Sequence, residues 1–121
     1  MMNEKQALGK WGEMEAIRLL KENGLEVIEA NWIFLHLEID IVAKDGDTLV
    51  IVEVKTRSTD AYGDPEMFVS RAKQKKLIRA ANWYLQNKKL NNEVRFDVVG
   101  IVQGFDGTKT RYIKDAFTAL D

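Results

Sequence analysis

Residues 38–55 read EIDIVAKDGDTLVIVEVK, and this stretch decides the fold. Two runs rich in β-branched residues, Glu38–Lys44 and Thr48–Lys55, flank the turn residues Asp45-Gly46-Asp47, a strong signal for a β-hairpin. A loop of even length pairs Ala43 with Thr48, and the partners across the hairpin then share a face of the sheet. The sequence therefore predicts a central antiparallel hairpin with this register.

In this register one face of the hairpin is entirely apolar, and we expect it to be buried against a helix. Its residues are Ile39, Ile41, Ala43, Val50, Val52 and Val54. The other face carries Glu38, Asp40, Val42, Leu49, Ile51, Glu53 and Lys55. A loop of odd length would separate Asp40 from Glu53 and would also break the apolar set. The hydrophobic pattern thus selects the register that brings the charged residues together.

The rest of the 121-residue chain predicts one α/β domain, residues 1–121, with a mixed central β-sheet flanked by helices. No internal repeat or linker divides it. The three tryptophans, Trp11, Trp32 and Trp83, are expected in the core rather than as platforms for base stacking, because two of them lie in helical patterns. The pattern predicts helices over Lys5–Asn23 and Val69–Asn87, strands over Leu25–Asn31, Val94–Val102 and Arg111–Ile113, and an irregular stretch over Thr56–Pro65.

Composition narrows the kinds of site that the chain can build. There is no cysteine, which excludes disulfides, thiolate zinc sites and cysteine nucleophiles and suits a reducing compartment. The N-terminal residues show no secretory signal and no segment is apolar enough to span a bilayer, so we expect a cytoplasmic protein without membrane contact.

A basic segment stands out although the net charge is only −1. Seven basic residues and no acidic ones lie between Arg71 and Lys89. Lys73, Lys76 and Arg79 lie about one helical turn apart, a spacing that can follow a phosphate backbone. An ordinary solvated helix face explains the same pattern equally well.

Asp40, Glu53 and Lys55 are the candidates for catalysis. Glu53 and Lys55 are two residues apart on a strand and point the same way, and Asp40 is the diagonal neighbour of Glu53. Two carboxylates this close favour a cation between them, and hard oxygen ligands suit Mg²⁺ or Mn²⁺. A surface hairpin that carries a chance Glu–Lys pair is the plain alternative.

Four blocks of sequence, taken in their order along the chain, resemble the YraN-like family and make the interpretation of the charged residues more specific. They are Leu8-Gly9-Lys10-Trp11-Gly12-Glu13, Glu38-Ile39-Asp40-Ile41-Val42-Ala43, Ile51-Val52-Glu53-Val54-Lys55-Thr56-Arg57 and Arg95-Phe96-Asp97-Val98-Val99. The family is similar to Holliday junction resolvases and other PD-(D/E)XK endonucleases. The resemblance implies a restriction-endonuclease-like core and a site formed by Glu13, Asp40, Glu53 and Lys55.

Helical periodicity alone places Glu13 and Glu15 equally well near the site, and only the resemblance selects Glu13. A glutamate near the start of a helix, favoured by the helix dipole, is the alternative explanation of Glu13. The chain departs from the family at Ile33, where an arginine is usual. If that arginine contacts phosphate in other members of the family, this chain lacks the contact.

These observations predict a metal-dependent endonuclease that hydrolyses DNA phosphodiester bonds, in branched or damaged DNA. Asp40 and Glu53 are the predicted ligands of Mg²⁺ or Mn²⁺, with Arg57, Lys73, Lys76 and Arg79 as the predicted contacts with nucleic acid. The alternative is a nucleic-acid-binding module with the same fold and little or no turnover. A homodimer would suit the cutting of two strands.

Overall fold

The computed structural model describes residues 1–58 and 69–119. The predicted irregular stretch Thr56–Pro65 begins inside a strand, and its part from residue 59 onward lies outside the described residues. The elements, in chain order, are α1 (Glu4–Glu22), β1 (Glu26–Phe34), β2 (Leu37–Asp45), β3 (Thr48–Arg57), α2 (Arg71–Lys88), β4 (Val94–Gly104) and β5 (Gly107–Phe117).

The five strands form one mixed sheet in the order β1-β2-β3-β4-β5. Pairing is antiparallel except between β3 and β4, which run parallel because α2 connects them. Helix α1 packs on one face of the sheet and α2 on the other. The predicted α/β class is confirmed, and the architecture is that of a restriction-endonuclease-like core.

Both helices begin at a side chain that accepts a backbone hydrogen bond. Asn3 and Gln6 form a reciprocal capping box before α1, and Ser70 accepts from the Lys73 N–H before α2. The predicted helix bounds differ from the observed ones by one or two residues. No helix within residues 1–58 and 69–119 has the length and apolar character needed to cross a bilayer.

The β2–β3 hairpin has the predicted even loop, but its pairing is shifted by two residues. Asp45 pairs with Thr48, and Ala43 pairs with Val50 instead of Thr48. The turn is reduced to Gly46-Asp47, because Gly46 adopts a left-handed backbone with φ of 61° that allows a two-residue loop. The shift of two residues does not change the parity of the pairing, and it moves Asp40 level with Glu53.

One residue of the predicted apolar face lies on the opposite side of the sheet. Ile41 and Val52 pack against α1 as predicted, and Val54 is half-buried beside them, but Ile39 packs in the cluster under α2. The alternation breaks where Asn31 of β1 lies opposite Asp40, and Asn31 has a left-handed φ of 56°. The change of facing between Ile41 and Ile39 therefore coincides with this left-handed residue.

The last strand is longer than its sequence pattern predicts. Strand β5 spans Gly107–Phe117 and pairs with β4 along most of that length. Most of its side chains are exposed, so it lacks the apolar alternation by which a strand is detected from sequence.

Close contact at one glycine fixes the distance between α1 and the sheet. Gly12 faces Thr56 of β3, and a Cβ atom added at residue 12 would lie 2.9 Å from the Thr56 Cβ atom. Such an approach is closer than carbon atoms tolerate, so only glycine lets the helix lie this near the strand. The following residue, Glu13, is thereby held at the same level of the sheet.

Gly12→Ala should lower the free energy of unfolding by about 1–3 kcal/mol, because the added methyl group forces α1 away from Thr56. Gly9→Ala is the matched control, since nothing lies within 4 Å of a Cβ atom at residue 9 of the same helix. The control should be stabilised by about 0.5–1 kcal/mol through helix propensity. Urea denaturation measures both, and equal stabilisation of the two variants would contradict the packing argument.

Candidate active site

The candidate site lies where strands β2 and β3 separate. Their ladder ends at the pair Ile41–Val52, and beyond it the Oδ2 atom of Asp40 accepts a hydrogen bond from the Val54 N–H at 2.8 Å. A carboxylate thus replaces the backbone partner that Val54 would have in a continued ladder. The side chain of Asp40 is fixed by this bond at the opening between the two strands.

Glu53 is the most unusual ionisable group of the site. Its side chain is 5 % exposed, and its Oε2 atom lies 3.7 Å from the Nζ atoms of both Lys55 and Lys73. Lys55 comes from the same strand and Lys73 from the first turn of α2. The two ammonium groups therefore approach one buried carboxyl from two elements.

Burial, followed by the negative charge of Asp40 and a hydrogen bond with it, raises the pKa of Glu53 from 4.5 to about 8. Lys73 and Lys55 lower this pKa but do not cancel the effect of burial. At neutral pH and without a metal, Glu53 is therefore protonated and hydrogen-bonded with Asp40. The two carboxyl groups predicted to converge do so, although they meet at the end of the ladder and not on one face as predicted, because Asp40 has turned toward α1.

An open cleft of about 530 Å³ lies between the first half of α1 and the ends of β2 and β3. Asp40, Lys55 and Glu13 line it together. Its rim also carries the cations Lys5, Lys10 and Arg57. The cleft thus joins two carboxylates to four basic side chains, a composition suited to a phosphate group near a bound cation.

The structure distinguishes Glu13 from Glu15, which helical periodicity places equally well near the site. Glu15 makes a 2.7 Å ion pair with Arg18 on the solvent side of α1. Glu13 lines the cleft, and its Oε1 atom accepts a hydrogen bond from the Asn31 amide at 2.7 Å. The site thus includes Asn31, which sequence reasoning did not assign to it; a non-glycine residue with positive φ is visible only in the backbone.

The four predicted nucleic-acid contacts fall into three places. Arg57 lines the cleft, and Lys73 lies beside Glu53. Lys76 and Arg79 are exposed on α2, and no acidic side chain within residues 1–58 and 69–119 pairs with them. The four residues therefore do not form a single row, and Lys73 belongs to the carboxylate site.

A second buried carboxylate, Asp97, is fully satisfied by hydrogen bonds. Both its oxygens accept bonds from the Arg95 guanidinium at 2.9 Å, and the Tyr112 hydroxyl and the Asp115 N–H donate to it as well. These bonds hold the irregular pairing of β4 with β5. Asp97, in the fourth sequence block, therefore has a structural role.

The raised pKa of Glu53 predicts how stability depends on pH. Between the ordinary pKa of 4.5 and about 8 the folded state keeps a proton that the unfolded chain loses, so the metal-free protein should lose stability as pH rises through this range. Each pKa unit corresponds to about 1.4 kcal/mol.

Glu53→Gln should remove most of this pH dependence and should be more stable than wild type at pH 8. Urea denaturation in EDTA at several pH values measures the slope. Glu26→Gln, at an exposed position of β1, is the control and should keep the slope of wild type. The assignment to Glu53 is wrong if its glutamine variant shows an unchanged slope.

The comparisons with known proteins show the family of this chain. Residues 12–101 match the model of the uncharacterised protein family UPF0102. A UPF0102 protein of Christiangramia forsetii is 42 % identical over 116 residues, which cover 96 % of this chain and 98 % of the relative. A UPF0102 protein of Desulfosudis oleivorans is 44 % identical over 120 residues, covering 98 % and 96 %. The chain therefore belongs to UPF0102, the YraN-like family.

Proposed function

We propose that this protein is a divalent-metal-dependent endonuclease that hydrolyses DNA phosphodiester bonds, in branched or damaged DNA. The observation that carries the proposal is the contact between Asp40 and Glu53 beside a basic cleft. The two carboxyl groups lie together, and Glu53 keeps a proton at neutral pH because burial and the negative charge of Asp40 raise its pKa to about 8.

The donor set fits Mg²⁺ or Mn²⁺. Mg²⁺ binds in proteins through one or two carboxylates and retains several water molecules, so Asp40 and Glu53 would suffice as ligands. Within residues 1–58 and 69–119 no group of three His, Cys, Asp or Glu side chains offers a fuller set. A bound ion would polarise the phosphoryl oxygen and make water a stronger nucleophile near neutral pH.

Lys55 supplies a fixed positive charge between the carboxylates and the cleft. Its Nζ atom is 3.7 Å from Glu53 Oε2, and its side chain also lines the cleft with Asp40. A phosphate in the cleft would lie within reach of this ammonium, which stabilises the negative charge that develops on the phosphoryl oxygens. Lys73 neutralises Glu53 from the side of α2 and leaves Lys55 able to face the phosphate.

Glu13 has a supporting role in the proposed reaction. Asn31 holds its carboxylate on the wall of the cleft, where it can accept a hydrogen bond from water or orient a second ion. Lys5, Lys10 and Arg57, which line the same cleft, would contact the DNA backbone near the reacting phosphate. A symmetric dimer would present two such sites to two strands.

The second candidate is a nucleic-acid-binding module with the same fold and little or no turnover. Two observations favour it: among residues 1–58 and 69–119 only two carboxyl groups meet at the site, and Glu13 is held by Asn31 within the cleft wall. This module would bind DNA through the same basic residues. Metal affinity and cleavage distinguish the two candidates.

Binding of Mn²⁺ should release a proton below pH 8, because Glu53 must lose its proton to become a ligand. Calorimetric titrations in buffers of different ionisation enthalpy measure the number of protons released. Asp40→Asn should weaken binding strongly, while Lys55→Ala should preserve or increase affinity because a positive charge is removed. Equal affinity of wild type and Asp40→Asn would refute the metal assignment.

Single-turnover cleavage of a panel of DNA structures tests the catalytic roles. At saturating Mg²⁺ or Mn²⁺, Lys55→Ala should lower the rate by roughly 100-fold or more, since it removes a charge directed at the transition state. Asp40→Asn and Glu53→Gln should abolish cleavage together with metal binding.

Glu13→Gln and Glu15→Gln form a matched pair on the same helix. The first should reduce the cleavage rate and the second should not, because Glu15 lies away from the cleft. If Asp40→Asn, Glu53→Gln and Lys55→Ala all cleave as fast as wild type, the activity does not reside in this site. A wild-type protein that binds DNA and metal but cleaves no member of the panel would favour the binding module.

A further inference from the structure

A run of four aromatic rings reaches from the core to the surface at the end of β1. The ring centroids of Trp32 and Tyr84 are 5.2 Å apart, those of Trp32 and Phe34 are 6.0 Å apart, and those of Phe34 and Trp83 are 5.0 Å apart. Tyr84 is buried, but Trp83 is 40 % exposed. The expectation that Trp83 belongs to the core is therefore wrong.

Basic side chains lie on the same flank of α2 as Trp83. Lys76 precedes Trp83 by seven residues, or two helical turns, and Arg79 precedes it by four residues, so the three project from neighbouring positions of the helix surface. Lys76 and Arg79 have no acidic partner among the residues that the structure describes. The basic–aromatic flank, formed by Lys76, Arg79, Trp83 and Phe34, combines positive charge with an accessible ring.

We infer that the basic–aromatic flank binds a single-stranded segment of nucleic acid, with an unpaired base stacked on Trp83. Stacking on an aromatic ring combined with cations along the phosphate backbone is the chemistry by which proteins bind single strands. The Phe34 ring contacts the indole of Trp83 with a centroid distance of 5.0 Å and an angle of 37° between the planes, and this contact restrains the indole before a base stacks on it. An apolar protein partner fits less well, because Lys76 and Arg79, which no acidic side chain among the described residues pairs with, border the ring.

The position of the flank relates it to the candidate active site. Lys73 contacts Glu53, and Trp83 is ten residues further along the same helix, a distance of about 15 Å along its axis. Helix α2 therefore links Glu53 to Trp83, so a nucleic acid bound at the carboxylate site could extend along this helix. In this form the inference rests on the proposed function and specifies its substrate, which has unpaired nucleotides next to the cleaved bond.

Fluorescence anisotropy in EDTA tests the inference, because metal-dependent cleavage cannot consume the probe under these conditions. The probes are a fluorescein-labelled single-stranded DNA oligonucleotide, a blunt duplex of the same sequence, and the single strand with abasic residues. Trp83→Ala should weaken binding of the single strand by roughly 5-fold to 100-fold and leave duplex affinity unchanged. Trp83→Phe should retain most of the affinity.

Phe105→Ala is the matched control, since Phe105 is a fully exposed aromatic residue in the turn between β4 and β5. It should bind every probe as wild type does. Lys76→Ala and Arg79→Ala should reduce the salt dependence of binding, whereas Trp83→Ala should leave that dependence unchanged. Thermal unfolding checks that each variant is folded.

The abasic oligonucleotide tests stacking without any change to the protein. Wild type should bind it more weakly than the normal strand, and Trp83→Ala should not distinguish the two. Equal affinity of wild type for both strands would overturn the inference, whatever the behaviour of the variants. A dimer that Trp83→Ala dissociates, with unchanged affinity for DNA, would assign the flank to a second copy of the chain instead.

Failure of the inference can be distinguished from failure of the proposed function. If the protein cleaves DNA in the presence of metal, but DNA binding depends neither on Trp83 nor on the presence of bases, the proposed binding role of the flank is wrong and the proposed endonuclease function stands. If bases stack on Trp83 but the protein cleaves no DNA substrate, the binding role of the flank is supported and the proposed hydrolytic function is contradicted.

Discussion

The hydrogen bond from the Val54 N–H to the Asp40 carboxylate is the interaction on which the site depends. It ends the β2–β3 ladder without leaving a buried donor unpaired, which would be costly in a sheet centre. The opening that results admits a carboxylate from β2 beside the one that β3 contributes. The opening between β2 and β3 therefore costs little free energy, and it forms part of the wall of the cleft.

Two buried carboxyl groups of the sheet, Asp97 and Glu53, differ in how well their surroundings balance a negative charge. Asp97 accepts bonds from Arg95, Tyr112 and a backbone N–H, so its charge is fully balanced within the fold. Glu53 has two ammonium groups at 3.7 Å and another carboxyl as its neighbour, and its pKa rises to about 8. An unbalanced group in a buried position is costly, and it persists where a function uses it.

The two helices serve the site from opposite faces of the sheet. Helix α1 approaches β3 closely at Gly12, and this approach brings Glu13 to the wall of the cleft. Helix α2 starts at Ser70 and presents Lys73 to Glu53 in its first turn. The site is thus assembled from β2, β3 and both helices, and Asn31 adds β1 through its bond with Glu13.

Local patterning determined much of this protein. The alternation of apolar residues around Asp45–Asp47 was sufficient for the hairpin and its even parity, because a strand has a period of two and only one parity buries the apolar set. Tertiary structure alone decided the rest. The facing of Ile39 changes where Asn31 of the neighbouring strand is left-handed, the choice of Glu13 over Glu15 depends on the amide of Asn31, and the partial exposure of Trp83 depends on its packing beside Phe34. These features arise from contacts between residues distant in the chain, which periodicity within one element does not encode.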